Sequence, residues 1–453
     1  NEHGSNFTLY MMEVILRNWQ YIVTAGILRF LLIHFKIGDL VKQRVEVSTP
    51  LNSWKRVEEG IFLLGENISP YESDIFHEPP LCLRLYAVLI RFCGRELIPV
   101  IFVLADILAG IMLSKAAEEY LKYSSDLEER KKESYSKDAE KLSLKRFNNI
   151  CIPSQVLAIY LLNPYVILPC IALCTSTFHN LLLAATLFAM ASGWSYMSTV
   201  FLAISAYQSF YPIMLLPPMA VYLARHHHEK INFAGDFNLS QYKSYILKVF
   251  LLFAANLMCL VYMSYSLEGD WTFIKSTYGF ILFVPDLTPN VGLFWYFFTE
   301  MFEHFRLFFI CTFQINVFIY AIPLIIKFNR EPMLVIYSLC SLMAVFKSYP
   351  SVSDVGLYMS LFPIWTHIRQ FMRQTFLVSC FFLATSVLAP IFWYLWIYAG
   401  SANANFYFGT TLAFGTAQIF LVTDVLFAYT RRQFHLIHGH HSDRDENTML
   451  VLK

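Results

Sequence analysis

Apolar runs dominate this chain. Those at 21–36, 97–114, 152–175, 246–266, 305–326, 333–347, 355–368, 374–398 and 408–430 reach or approach crossing length, which is about 20 helical residues. Backbone polar groups in hydrocarbon must be satisfied within the chain itself, so such runs become helices. Charged residues make up 15% of the chain, against about 25% in a soluble domain. The expected fold class is therefore all-α: a polytopic membrane helical bundle forming one multi-span domain, 1–453. The stretch 181–224 is too long for one crossing. It holds either one helix with re-entrant pieces or three short crossings, which leaves ten to twelve transmembrane helices. The net charge of +1 and the lack of a basic stripe give no reason to expect a nucleic-acid partner. The chain opens on Asn1 rather than Met, so preceding residues are expected. The first apolar run carries Arg29 and has no cleavage site of the secretory type.

Basic residues collect on the cytoplasmic side of membrane proteins. The polar segment 115–149, with Lys131, Lys132, Lys137, Lys141, Lys145 and Arg146, reads as a cytoplasmic loop, solvated and helical or disordered. Arg225 to Lys230, Lys327 to Arg330, Arg369 to Arg373 and the tail 431–453 fall on the same side. Segments 42–95, 267–300, 348–354 and 399–407 then face the opposite, lumenal side, provided that 181–224 crosses an odd number of times. In the lumenal loop 42–95, Trp54, Val57, Ile61 and Leu64 recur at helical spacing among charges, the pattern of an amphipathic interfacial helix. Prolines then bracket Ser69 to Leu81 as a fixed turn.

The stretch from Phe283 to Phe305 places Asp286, Asn290, Glu300, Glu303 and His304 among apolar and aromatic residues, just after Pro285 and Pro289. Ionisable groups at membrane depth are costly and normally serve a task. The segment reads as a polar rim above an apolar cleft. Loop 399–407 adds Asn403 and Asn405, amides suited to sugar or phosphate headgroups. Asp106, midway along 97–114, is either an interhelical hydrogen-bond partner or a functional group.

Enzyme and metal signals are weak. Glu300, Glu303 and His304 fall on one helical face by their spacing, but the string has Glu in place of the first histidine of the zinc motif it approaches, and no third ligand is evident. The histidines at 226–228 and at 435, 438, 440 and 441 lack the spacing of a defined site, so no metal and no other cofactor is expected. Of the nine cysteines, seven sit in or beside spans as apolar fillers, and only Cys82 and Cys93 share a loop in which they could pair. A lipid-linked sugar transferase would need acids in the first lumenal loop; Glu46 is present without a close pair of aspartates. No phosphate-cradling or dinucleotide fingerprint occurs.

Several strings together resemble the PIG-U family, a membrane subunit of the glycosylphosphatidylinositol (GPI) transamidase. They include RVEVSTPLNSWKRVEEG (Arg44 to Gly60), SPYESDIFHEPPL (Ser69 to Leu81), YLLNPYVIL (Tyr160 to Leu168) and YQSFYP (Tyr207 to Pro212). The others are YGFILFVPDLTPNVGLFWYFFTEMFEHF (Tyr278 to Phe305), FQINVF (Phe313 to Phe318), FKSYPSVSDVGLYM (Phe346 to Met359), WIYAGSANANF (Trp396 to Phe406) and MLVLK (Met449 to Lys453). The charged segment 120–149 and the His-rich tail 435–445 depart from the family pattern.

The resemblance implies a multi-pass protein of the endoplasmic reticulum membrane on a scaffold similar to multi-span GT-C type glycosyltransferases. It implies a non-catalytic subunit that recognises or presents the GPI lipid, and the C-terminal attachment signal of the proprotein as a further ligand. The partners implied are the other transamidase subunits, including the cysteine-protease-like catalytic one; no catalytic residue is implied here. On that reading Asp286, Asn290, Asn403 and Asn405 form the lumenal rim, His304 complements phosphate, and Phe308, Phe309, Phe313, Phe318 and Tyr320 line the acyl groove. The alternative is an active lipid-linked glycosyltransferase of GPI assembly that uses Glu46.

Overall fold

The computed structural model describes residues 2–136, 142, 144, 151–231 and 242–439. Lys137, Lys141, Lys145, Arg146, His440, His441 and the 449–453 ending lie outside these residues. Among the described residues every regular element is helical.

The chain opens with α1 (Glu2–His34) and the short α2 (Ile37–Val41), then α3 (Trp54–Gly65), α4 (Pro80–Cys93) and α5 (Ile98–Arg130). The expected amphipathic helix is α3, and its Trp54 and Val57 are buried. They pack on protein, with Trp54 edge-on to Tyr86 and Phe102, not on a lipid interface. Helix α5 continues well past its apolar run. Lys115, Ala116, Ala117, Tyr120 and Leu121 are buried in it, so the first part of the 115–149 segment is packed helix.

Pro164 divides the run 152–175 into α6 (Ile152–Leu162) and α7 (Pro164–Ile171), which meet at 47°. Proline lacks an N–H and suits a helix's first turn, and Asn163 caps α7 by accepting from the Tyr165 N–H at 2.9 Å. The stretch 181–224 becomes three helices: α8 (Ser176–Ala191), α9 (Ser195–Ser209) and α10 (Leu216–Ile231). Helix α11 (Lys243–Glu268) precedes a broken helix made of α12 (Thr272–Ile274), a π-turn at Lys275–Gly279 and α13 (Phe280–Phe283). Then follow α14 (Phe294–Glu300), α15 (Arg306–Ile319), α16 (Ala321–Lys327), α17 (Pro332–Phe346), α18 (Val352–Leu361), α19 (Thr375–Ile397) and α20 (Ala404–His438).

Among the described residues five helices are long and apolar enough to cross a membrane: Arg95–Arg130, Lys243–Glu268, Glu303–Lys327, Thr375–Ile397 and Ala404–His438. The bent α6–α7 pair makes six if it is one span. The ten to twelve expected from apolar runs are not all present as long helices. Ser176–Ala191 and Pro332–Phe346 are apolar but short, and the run 355–368 changes from α18 to a 3-10 turn at Phe362.

Helices α5, α6, α8, α9, α17 and α18 form the core, around residues such as Tyr160, Leu187, Leu202, Tyr337 and Tyr358. Arg29 of α1 and Asp106 of α5 meet inside it, at 0% and 1% exposure. Arg29 Nε donates to the Asp106 carboxylate at 2.9 Å, and Nη1 donates to the Leu161 carbonyl at 2.9 Å. Of the two readings of Asp106, the interhelical one is what its contacts describe: it ties α1 to α5 while its partner Arg29 reaches α6.

Candidate functional site

The loop 284–293 is built by its own polar groups. Val284 takes φ 49° and ψ 59°, a left-handed conformation that a β-branched residue adopts only under constraint. Its carbonyl accepts from Arg306 Nη2 at 2.8 Å. Asp286 accepts from the Thr288 N–H at 2.9 Å and pairs with Arg56 of α3 at 3.1 Å. Asn290, 1% exposed, accepts from the Gly292 N–H at 2.8 Å. A Cβ on Gly292 would lie 2.6 Å from Pro350 Cγ, so only glycine lets the loop seat on that proline. The structure thus brings Asp286 and Asn290 together, with their bonding atoms turned into the loop and toward Arg56.

Asn403 and Asn405 form a second group, at the start of α20. Asn403 caps the helix by accepting from the Asn405 N–H at 3.1 Å, and Asn405 Oδ1 accepts from the Tyr296 hydroxyl. Both amides are exposed. Beneath them Trp295, Trp393, Trp396 and Tyr407 pack together, joining α14 to α19 and α20. His304 is exposed on the 3-10 turn Glu303–Phe305. Met301 and Phe302 are extended and end α14 after Glu300, so Glu300, Glu303 and His304 do not share a helical face. The break removes the geometry that the zinc-like spacing required. Among the described residues no group of three or more potential metal ligands occurs.

The five aromatics expected to line one groove divide into several packing sites. Phe309 and Phe313 pack on Phe297 at 5.0 and 4.8 Å between ring centroids. Phe318 stacks on Tyr211, and Tyr320 on Phe346. Phe308 is exposed. Phe309, Phe313, Phe318 and Tyr320 thus each meet another ring, while Phe308 stands on the surface.

The open space lies elsewhere. An apolar cavity of about 310 Å³ sits between the 41–47 segment, α7, the start of α18, α19 and α20. Its origin is readable in the side chains. On α19 the facing positions are Thr385, Ser386, Ala389 and Pro390, and on α20 they are Thr410 and Thr411. Small residues on both helices leave room that large ones would close. Pro390 cannot donate its helical hydrogen bond, which loosens α19 at this level. Arg44 and Glu46, paired at 2.9 Å, border the cavity, and Val291 of the 284–293 loop reaches it. Sequence reasoning centred on aromatics missed this cavity. The signal for it was the small-residue face shared by 385–390 and 410–411.

A family model described as "PIG-U: GPI transamidase subunit PIG-U" matches residues 23–414. The chain belongs to the PIG-U family. It is 40% identical to the GPI-anchor transamidase component PIGU of Homo sapiens over 95% of its own length and 98% of that protein. It is 30% identical to the GPI transamidase component GAB1 of Saccharomyces cerevisiae, over 86% of this chain and 89% of that one. The homologue of the latter in Schizosaccharomyces pombe is 28% identical over 90% and 92%. The chain is therefore a GPI transamidase component, a multi-pass membrane protein that works with the other subunits of that complex. The residues lining the apolar cavity and the whole 284–293 loop lie within the matched segment.

Proposed function

We propose that this subunit recognises the GPI lipid for the transamidase without carrying out chemistry on it. The observation that carries the reading is the apolar cavity between α7, α18, α19 and α20, bordered by the Arg44–Glu46 pair. Each buried methylene contributes about 0.8 kcal/mol, so a short length of acyl chain in this cavity would bind well. Arg44 supplies a cation for a phosphate, and the exposed amides of Asn403 and Asn405 stand at the end of the same helix α20. Asp286, Asn290 and His304 join the proposed rim as loop-forming and exposed polar groups. Phe308, Phe309, Phe313 and Phe318 on α15, with Tyr320 just after it, would line an acyl groove that continues from this rim. The subunit would act in the endoplasmic reticulum membrane beside the cysteine-protease-like catalytic subunit and would also meet the proprotein's C-terminal signal. Segments 42–95 and 399–407 would face the lumen, and 115–149 and 431–453 the cytoplasm. The shorter helices would complete a scaffold of ten to twelve crossings, similar to GT-C type glycosyltransferases.

Filling the cavity tests the reading. Ala389→Phe together with Thr410→Phe should leave assembly of the complex intact, measured by co-purification. Attachment of GPI to a reporter proprotein should fall at least about tenfold, the loss expected when an acyl segment of two or more methylenes is displaced. Undiminished attachment would refute the assignment.

The alternative, an active glycosyltransferase, rests on Glu46. Glu46 is buried, and its carboxylate is held by Arg44 through two hydrogen bonds, at 3.2 and 2.9 Å. With both oxygens engaged by the neighbouring guanidinium, the carboxylate is not free to take a proton from a substrate. Sugar transfer from a dolichyl-phosphate donor by the purified chain, abolished in Glu46→Gln, would establish the alternative.

A further inference from the structure

A second cavity lies on the other side of the 46–52 segment. It is small, about 60 Å³, and polar. Four of the family-like strings converge on it, from parts of the chain far apart in sequence. The 44–60 string gives Thr49 and Asn52, and the 69–81 string gives His77 and Glu78. The 207–212 string gives Gln208 and Ser209, and the 346–359 string gives Lys347, Ser351 and Asp354. Helix α8 adds Ser176 and His179.

Its polar atoms are poorly satisfied. His77, Glu78 and His179 are 4%, 5% and 8% exposed, yet His77 Nε2, Glu78 Oε1 and His179 Nδ1 have no hydrogen-bond partner. Ser176 Oγ and Gln208 Oε1 are in the same condition. Leaving such groups unmatched costs about 1–3 kcal/mol each; the Gln208 amide lies near both Glu78 and His179 and can serve only part of the set, so the cluster points to a polar occupant. The character of that occupant follows from the side chains. His77 Nδ1 lies 2.9 Å from the Ser276 carbonyl and must donate to it, which makes Nε2 an acceptor in the neutral ring. Gln208 Oε1 is a second acceptor. Lys347 and Asp354 cancel each other at 2.6 Å. The cavity thus offers acceptors and donors together with no net charge from that pair. A phosphate would find too few free donors, and an ammonium group would meet Lys347. Hydroxyl groups, which both donate and accept, fit this set.

The two cavities share a wall. The Val352 N–H donates to the Glu46 carbonyl at 3.0 Å, and the Thr175 N–H donates to the Asn52 carbonyl at 2.9 Å. Glu46, Val47 and Val352 face the apolar cavity, while Thr49, Asn52 and Ser351 face the polar one. We propose that the polar cavity is a sugar subsite, which admits a hydroxyl-bearing edge of the glycan of a glycolipid whose acyl part occupies the apolar cavity. At about 60 Å³ it has room for a few water-sized groups, so it takes one edge of a ring and not a whole sugar. The inference rests on the lipid-binding reading and adds the part of the ligand that this chain would select.

Equilibrium binding to the assembled complex tests it with two radiolabelled lipids of identical acyl chains, a glycosylated phosphatidylinositol and phosphatidic acid. His179→Leu should weaken the glycosylated lipid about tenfold and leave phosphatidic acid unchanged, the effect of losing a buried hydrogen bond and its neighbour's match. Ser176→Ala removes a single oxygen, so it is tolerated by the fold even if the first variant is not, and should weaken the glycosylated lipid about threefold. Equal loss for both lipids, or no loss for either, would make the cavity a structural or merely hydrated feature and overturn the subsite. If the wild-type complex binds both lipids equally and Ala389→Phe abolishes both, the apolar cavity stands and only the sugar subsite falls. If the wild-type complex binds neither, the lipid-binding reading fails and the subsite with it.

Discussion

Two buried polar clusters in this protein are built on opposite principles. At Arg29–Asp106 the charges are opposite, the guanidinium also reaches the Leu161 carbonyl, and both side chains are essentially unexposed. Around Glu78 and His179, five polar atoms stand unmatched beside a cavity. The first arrangement closes the core and leaves nothing for a ligand to do. The second keeps hydrogen-bonding capacity in reserve, which a structural role alone would not require. Buried ionisable residues in a membrane protein are therefore informative chiefly through their satisfaction: paired ones hold helices together, and unmatched ones that border a cavity keep hydrogen-bonding capacity free.

The sharpest way to break the comparison is Asp106→Ala. It strands Arg29 in the core and should cost about 3–5 kcal/mol, read as lost thermal stability of the purified complex. Replacing both partners by apolar residues, Asp106→Leu with Arg29→Met, should restore most of that loss; failure to do so would mean the pair does more than close the core.

Next in size is a pH effect at Glu78. Burial pushes its carboxyl up to about 7, against hydrogen bonds that favour the ionised form. The folded protein then holds a proton that the unfolded chain has released between its ordinary 4.5 and about 7, so stability falls as pH rises through that window. His77, which burial lowers to about 4, acts in the opposite sense: its contribution is present above its ordinary 6.5 and is lost as pH falls toward 4. Glu78→Gln should therefore match the wild type near about pH 4 and exceed it at about pH 8 by up to about 3 kcal/mol, measured by unfolding across pH. A variant no more stable at high pH would show Glu78 to be ionised and matched, like Asp106.

Smaller effects belong to the α20 start. Asn403→Leu removes a helix cap worth about 1 kcal/mol. Combined with Asn405→Leu it should leave assembly intact while GPI attachment falls; normal attachment would remove these amides from the rim. Least of all, Tyr296→Phe deletes an exposed hydroxyl bond to Asn405 and should cost at most about 0.5 kcal/mol in stability.

Much of the helical layout was legible beforehand because apolar periodicity and proline position act locally. Helix α3 was marked by Trp54 and Val57, and the break near 285–289 by its two prolines. The aromatic groove was not legible. A phenylalanine on an apolar helix fills a packing site or borders a cleft with the same local pattern, and only its neighbours distinguish the two: here Phe297, Tyr211 and Phe346 lie against four of the five rings. The continuity of the helix through Glu300 to His304 was equally undecidable, since the break at Met301 has no proline or glycine to announce it.

Composition and local pattern alone determined that this chain is helical, membrane-embedded and of the PIG-U kind, because hydrocarbon solvation and long shared strings need no knowledge of contacts. Tertiary structure decided which small faces leave a cavity between α19 and α20, which acid is paired, and which distant segments bring His77, Glu78 and His179 together. Those outcomes depend on what lies opposite each side chain in space, and spacing along the chain does not encode that.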